Sequence, residues 1–211
     1  MQISLESVSK SYKKEAILES VSLEILAGER LAIFGRNGSG KTTLLKLILG
    51  LITQTSGNIV RSKDILITFV SNNPRSFFYR LSPLQNLIFF SNLYCDLSAN
   101  EIMKRINFLV EHLDLNYIMR KKVMDLSGGE IKKLMLVRAL VPNPDIILLD
   151  ELFSNIDRES IIKISDFLLK EFLIEEEKSL IMTSHHRDEC KKICKNFIKI
   201  ENKQTTQKEL L

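Results

Sequence analysis

The stretch Gly35-Arg36-Asn37-Gly38-Ser39-Gly40-Lys41-Thr42 fits G-x-x-x-x-G-K-[ST], the pattern of a phosphate-binding loop, and it constrains the fold more than any other part of the chain. That pattern needs a strand before it and a helix after it. Leu31-Ala32-Ile33-Phe34 is a short apolar run suited to a buried strand, and Thr43-Leu44-Leu45-Lys46-Leu47-Ile48-Leu49 reads as a helix ending at Gly50. Glycines let the backbone curl so that successive N–H groups face one point, where the positive end of the helix dipole also favours a polyanion. The ligand expected is ATP, with Lys41 reaching the β- and γ-phosphates and the Thr42 hydroxyl ligating Mg²⁺. Gly35, Asn37, Gly38, Ser39, Gly40 and Thr43 complete the expected nucleotide-contacting set. A glycine turn that only caps a helix is the alternative, and the strand–helix context disfavours it.

The 211 residues suffice for one well-cored domain with a small inserted lobe. A hydrophobic share of 45% with 27% charged residues belongs to an ordinary globular chain and excludes a disordered one. Lysine plus arginine is 30 against 26 acidic residues, a net charge of +4, too small an excess to argue for nucleic acid. A mildly basic surface explains it, and would suit an anionic membrane face. Met1 to Glu6 alternates apolar with polar residues, so no signal peptide is expected. No apolar run approaches the ~18 residues of a membrane span, and a cytoplasmic subunit is expected. Cys95, Cys190 and Cys194 are an odd, sparse set, arguing for a reducing compartment rather than a disulfide framework. His185, His186, Cys190 and Cys194 do not match a usual zinc spacing, and a helix face with incidental thiols is the better reading.

Ile3 to Val8 and Val21 to Ile25 show the two-residue period of strands with one wet face, separated by a polar turn at Ser11-Tyr12-Lys13-Lys14. By periodicity alone Tyr12 is an ordinary half-buried turn tyrosine. Gly57 to Val60 and Ile65 to Val70 are further strand candidates, and residues 71–76 form a polar loop. From Pro83 to Tyr117 the pattern is helical, with a capping box at Ser98-Ala99-Asn100-Glu101 followed by Ile102, Ile106, Leu109 and Leu113. This inserted helical lobe closes at Leu126-Ser127-Gly128-Gly129-Glu130, before a helix from Ile131 to Leu140. Glycines ahead of a helix again suit an anion, although a simple cap would explain them too.

Ile146-Ile147-Leu148-Leu149-Asp150-Glu151 is an apolar strand with two acids at its carboxyl end, where ligands bind in an open parallel sheet. One acid can hold Mg²⁺ and the other can deprotonate a water for attack on the γ-phosphate. Arg158 to Glu175 reads as an amphipathic helix, and Ser179 to Thr183 as a buried strand ending in Ser184-His185. A histidine at that edge can hydrogen-bond a phosphate oxygen or be merely structural.

Taken in order, Gly35 to Thr42, Leu126 to Glu130, Ile146 to Glu151, Ser154-Asn155-Ile156-Asp157 and Thr183-Ser184-His185 resemble the nucleotide-binding subunit of ATP-binding-cassette (ABC) transporters, over nearly the whole chain. The resemblance implies an α/β fold with a P-loop NTPase core: a mainly parallel sheet with flanking helices, an antiparallel β subdomain and an inserted α-helical subdomain. It implies one nucleotide-binding domain over 1–211, with the helical subdomain at about 72–142. Tyr12 would stack on adenine, Asp150 support Mg²⁺, Glu151 act as general base and His185 contact the γ-phosphate. Ser127, Gly128, Gly129 and Glu130 would contact ATP held by a second copy, a homodimer being expected, and Asp157 would couple the two sites. A signature separated from the phosphate loop by a helical lobe thereby gains an anion to bind.

Three positions depart from the pattern. Asn72 stands where the family usually has glutamine, beside the magnesium ion and attacking water. Glu130 replaces a glutamine, and Leu152 a proline. The catalytic positions are intact, so hydrolysis is expected. The stretch from Val70 to Leu81, with Leu87-Ile88-Phe89-Phe90, looks like exporter subunits that move drugs, lipid-linked glycans or other lipophilic cargo. The implied partner is a membrane-spanning subunit in a separate chain, with this one peripheral on the inner face of the cell membrane. Phe77, Phe78 and Tyr79 read equally as a partner socket or as core of the helical lobe. A haem-exporter-type subunit and a soluble non-transport ATPase are the alternatives, and no nucleic acid is expected.

Overall fold

The computed structural model describes residues 2–72, 76–185 and 187–211. Asn73, Pro74 and Arg75 of the polar loop and His186 of the histidine–cysteine group lie outside the described residues. The main sheet runs in the order β10-β8-β3-β7-β6-β5, from strands β3 (Arg30–Gly35), β5 (Ile67–Val70), β6 (Ile146–Asp150), β7 (Ser179–Thr183), β8 (Asn196–Glu201) and β10 (Glu209–Leu210), with β9 (Gln204–Thr205) on β8. Strands β8, β3, β7, β6 and β5 are parallel neighbours. Every residue of β6 and β7 is buried, which is why they read as unbroken apolar runs rather than alternating ones.

Alternation instead decides which face each side chain serves. Leu31, Ile33, Ile146, Leu148 and Ile181 join α1 (Lys41–Leu49) and a second sheet in one core. Ala32, Phe34, Ile147, Leu149, Leu180 and Met182 pack on the opposite face against α3 (Ala99–His112), α4 (Gly128–Leu140) and α5 (Arg158–Phe167). The second sheet is antiparallel, β2-β1-β4, from β1 (Ile3–Tyr12), β2 (Glu15–Ile25) and β4 (Ser56–Arg61). Between β5 and β6 the chain builds α2 (Pro83–Tyr94), α3 and α4, each opened by a serine in a capping box. Ile102, Ile106, Leu109 and Leu113 are all buried, as their helical spacing requires.

Several local expectations need correction. Ser11 and Tyr12 are the last residues of β1 rather than a turn; the register shifts after Leu5 and Ser7 takes φ 48°, so a bulge breaks the alternation that would have shown the full strand. Strand β5 starts at Ile67; just before it the Leu66 N–H donates to the side-chain Oδ2 of Asp145 at 2.8 Å, while the Leu66 carbonyl accepts from Asp145 N at 2.9 Å and Ile146 N at 3.1 Å. Helix α4 starts at Gly128, and α5 ends at Phe167 in a wider turn, Leu168–Phe172. The polar tail is part of the architecture: β10 pairs with β8, and Lys208 Nζ reaches the buried Glu29 carboxylate at 2.7 Å.

Cys190 and Cys194 sit in the core rather than along a helix face: α6 (Arg187–Cys190) ends at the first and the second follows in a turn. Burial pushes the Cys190 thiol up to about 12. Below pH 9, the ordinary thiol value, both folded and unfolded chains keep the proton. Above it the unfolded thiol ionises first, so stability falls by up to ~1.4 kcal/mol per pH unit until the folded thiol also ionises. Denaturant titrations between pH 8.5 and 10.5 should therefore show a steeper loss for the wild type than for Cys190→Ala; parallel slopes would contradict the burial.

Candidate active site

Between β3 and α1 the chain turns through Gly38 at φ 78° and Gly40 at φ 103°, conformations that glycine adopts without strain. A Cβ at Gly40 would stand 2.9 Å from the Leu18 side chain, so the loop is pressed onto β2. Gly40 is also the N-cap of α1, and among the described residues no side chain caps that helix. Its first-turn N–H groups and dipole suit an anion. Lys41 is buried at 5% exposure and donates from Nζ to the Gly35 carbonyl at 2.9 Å and the Arg36 carbonyl at 3.2 Å. The same ammonium is 3.6 Å from Glu151 Oε1.

Parallel register brings the strand ends together, since Thr183 of β7 pairs with Ile33 of β3 on one side and Asp150 of β6 on the other. Asp150 is 3% exposed and accepts from Thr42 Oγ1 at 2.8 Å and from Thr183 Oγ1 at 2.8 Å. A hydroxyl and a carboxylate in contact are hard oxygen donors of the kind Mg²⁺ takes, so these residues fit that ion. Glu151 follows at φ 51°, a left-handed conformation that costs a non-glycine residue about 1–3 kcal/mol. Its N–H donates to Thr183 Oγ1 at 3.0 Å. Asn72 Nδ2 donates to its Oε2 at 3.0 Å, and His185 Nε2 lies 2.6 Å from Oε1. An ionised carboxylate only accepts, so Nε2 of His185 carries the proton in this contact.

Tyr12, Asn37, Gly38, Gly40, Lys41, Thr42, Thr43, Asn72 and Glu151 line one open cleft of about 340 Å³. Tyr12 is 46% exposed on its rim, with Lys10 Nζ 5.0 Å from the ring centroid. Asp150 lies beneath it, and Gly35 and Ser39 belong to the adjoining loop, where Ser39 Oγ would be 2.4 Å from a Cβ at Gly35.

Ser127, Gly128, Gly129 and Glu130 do not line this cleft; they form the start of α4. Ser127 Oγ accepts from Glu130 N at 3.2 Å while Glu130 Oε2 accepts from Ser127 N at 2.7 Å. The serine oxygen acts here as an acceptor and keeps a proton to donate. Glutamate in place of glutamine therefore preserves the cap. Asp157 also stands apart and caps α5, its Oδ1 accepting from Ser160 N at 2.8 Å. Hydrogen bonds from Ser160, first from its side-chain hydroxyl and then from this backbone N–H, hold the Asp157 carboxyl below the ordinary value.

Sequence reasoning assigned no role to Thr183 or Lys132. The first closes the Asp150–Glu151 junction. Its signal was available: a polar residue at the carboxyl end of a buried strand, the same argument that picks out Asp150. Lys132 Nζ donates to the Glu151 carbonyl at 2.9 Å and the Ser154 carbonyl at 2.6 Å, contacts that no local pattern announces.

Known proteins resemble this chain over most of its length. A family model described as ABC transporter matches residues 18–154. The lipopolysaccharide export system ATP-binding protein LptB of Escherichia coli (strain K12) is 31% identical over 203 residues, 91% of this chain and 83% of that protein. The zinc import ATP-binding protein ZnuC of Psychrobacter cryohalolentis is 32% identical over 178 residues, covering 81% of this chain and 69% of its own. Among solved structures, the ATP-binding cassette MJ0796, a post-hydrolysis dimer bound to ADP and Pi, matches with a TM-score of 0.87 at 27% identity, covering 99% of this chain and 98% of that one.

Proposed function

The chain belongs to the ABC transporter family as its ATP-binding, ATP-hydrolysing subunit, and from that premise we propose that the Tyr12–Glu151 cleft is the hydrolysis site and that a second copy completes it. The observation that carries this reading is the convergence of Lys41, Asn72 and His185 on the Glu151 carboxylate beside the uncapped start of α1. Tyr12 stacks on the adenine. The loop N–H groups from Gly35 to Thr43 and the Lys41 ammonium hold the phosphates. Thr42, Asp150 and Asn72 would hold Mg²⁺, which when bound neutralises charge on the β- and γ-phosphates. Glu151 takes the proton of a water as its oxygen attacks the γ-phosphorus; the bond to the β–γ bridging oxygen breaks and ADP leaves. His185, with its proton on Nε2, turns from Glu151 to donate to a γ-phosphate oxygen.

In this reading Ser127, Gly128, Gly129 and Glu130 cap the triphosphate held by the other copy, and Asp157 lies in the segment between the two sites. Residues 1–211 form a single nucleotide-binding domain, with the helical subdomain at about 72–142. The described residues contain no helix long and apolar enough to cross a membrane, so the spanning subunit is proposed as a separate chain and this one as a peripheral cytoplasmic subunit on its inner face. Exposed Phe78, Tyr79 and Phe89 beside buried Phe77 supply an apolar docking surface for it.

Export of a lipophilic cargo is favoured by the relative named for lipopolysaccharide export, which matches more of the chain than the relative named for zinc import. The haem-exporter and non-transport readings predict different companions. A tagged chain purified from detergent-solubilised membranes should retain an integral protein, and that complex should hydrolyse ATP faster when an amphipathic cargo is added. No attached membrane protein, or stimulation by a metal ion alone, would contradict the export reading.

A further inference from the structure

Lys132 lies in α4, five positions beyond the N-cap Ser127, and is buried at 8% exposure. An ammonium has three donors, and here it meets three uncharged acceptors: the Glu151 carbonyl, the Ser154 carbonyl and Ser154 Oγ. Ser154 Oγ in turn donates to the Glu151 carbonyl at 2.9 Å. These contacts bracket an unusual piece of backbone, because Glu151 at φ 51° and Asn155 at φ 59° are both left-handed without being glycine. Such turns persist only where their surroundings over-determine them. The Glu151 peptide is held at its N–H by Thr183 and at its carbonyl by Lys132. Burial drives the Lys132 pKa down while the Glu151, Asp150 and Glu189 charges oppose that shift. A charge kept there against desolvation serves geometry rather than solubility.

We propose that Lys132 is a positioning residue that locks the strained Glu151–Asn155 turn onto α4, so that one rigid helix carries both the Ser127–Gly129 face and the fixed point of the Glu151 carboxylate. The proposal rests on the reading of Glu151 as the base. Gly129 belongs to the same joint, since a Cβ there would be 3.9 Å from the Asn155 carbonyl. A displacement of the first turn of α4, on meeting a nucleotide held by a second copy, passes through Lys132 to the residue that activates water. Binding of ATP within the chain's own cleft needs none of these contacts.

Steady-state hydrolysis and nucleotide affinity of the full-length chain, with a fluorescent ATP analogue as the binding probe, test this. Lys132→Met keeps the length of the side chain and removes the donors; it should lower kcat about tenfold or more, as expected for a misplaced catalytic group, and leave KM and analogue affinity within about threefold. Lys132→Gln, whose amide restores two donors, should recover kcat to within about threefold of wild type. A wild-type kcat in Lys132→Met would overturn the proposal, as would parallel losses of kcat and affinity that Gln does not rescue. If Lys132→Met does not fold, Ser154→Ala decides, with a lower kcat at unchanged KM expected and an unchanged kcat overturning the idea. Glu151→Gln is measured alongside: full activity there refutes the base assignment, whereas its loss together with an active Lys132→Met refutes only the positioning role.

Discussion

Glu151→Gln lowers the steady-state ATP turnover of this chain by about 10²–10⁴-fold, the range that a positioned general base supplies. The amide is nearly isosteric with the carboxylate and can still accept from Asn72 Nδ2, which now lies 3.0 Å from Oε2. It has no basic oxygen to take the proton of water. The loss is therefore in kcat. Affinity for ATP holds or rises, since a negative charge 3.6 Å from the Lys41 ammonium has gone and that cation is released to the phosphates. Single-turnover hydrolysis with labelled ATP checks both halves of this expectation. Wild-type turnover in the variant would remove Glu151 from the chemistry.

Gly129→Asp is expected to be nearly as damaging for an unrelated reason. The residue is the second of α4, among the described residues a would-be Cβ there meets only the Asn155 carbonyl, at 3.9 Å, and no left-handed conformation excludes a side chain. An aspartate in a first helical turn is locally favourable, so the variant folds. If that turn faces the triphosphate of a second copy, however, the new carboxylate meets a polyanion, and like charges at an interface cost several kcal/mol. Hydrolysis should fall by about 100-fold or more, while ATP binding to the chain's own cleft, measured on the separate protein, is unchanged. Equal turnover in wild type and variant would mean that α4 meets no nucleotide.

The core of the fold was legible because burial writes itself into composition. β3, β6 and β7 lie inside the sheet and read as continuous apolar runs, and the Ser98–Glu101 box marked the start of α3 by its own chemistry. Strand β8 was missed: Lys199 interrupts its apolar residues, and what makes it a strand is pairing with β3, more than 160 positions earlier in the chain. Bulges hid the full length of β1, and the polar tail carried no apolar pattern to announce β10, whose pairing with β8 and the Lys208–Glu29 contact tie it to the sheet. At the site, motif residues were found one by one, but not how they meet. The Thr42–Asp150–Thr183 chain and the hold of Lys132 on Glu151 depend on strand register and helix docking, which local patterns do not encode. A lysine in α4 is an ordinary surface residue until the helix is packed.

Sedimentation of the Glu151→Gln chain with and without ATP tests most directly whether two copies share each nucleotide. A chain that is monomeric alone, becomes a dimer holding two ATP molecules when ATP is added, and loses that response once Gly129→Asp is introduced is the result expected. Saturation with ATP while remaining monomeric at micromolar concentration, or dimerisation that ignores Gly129→Asp, would contradict it.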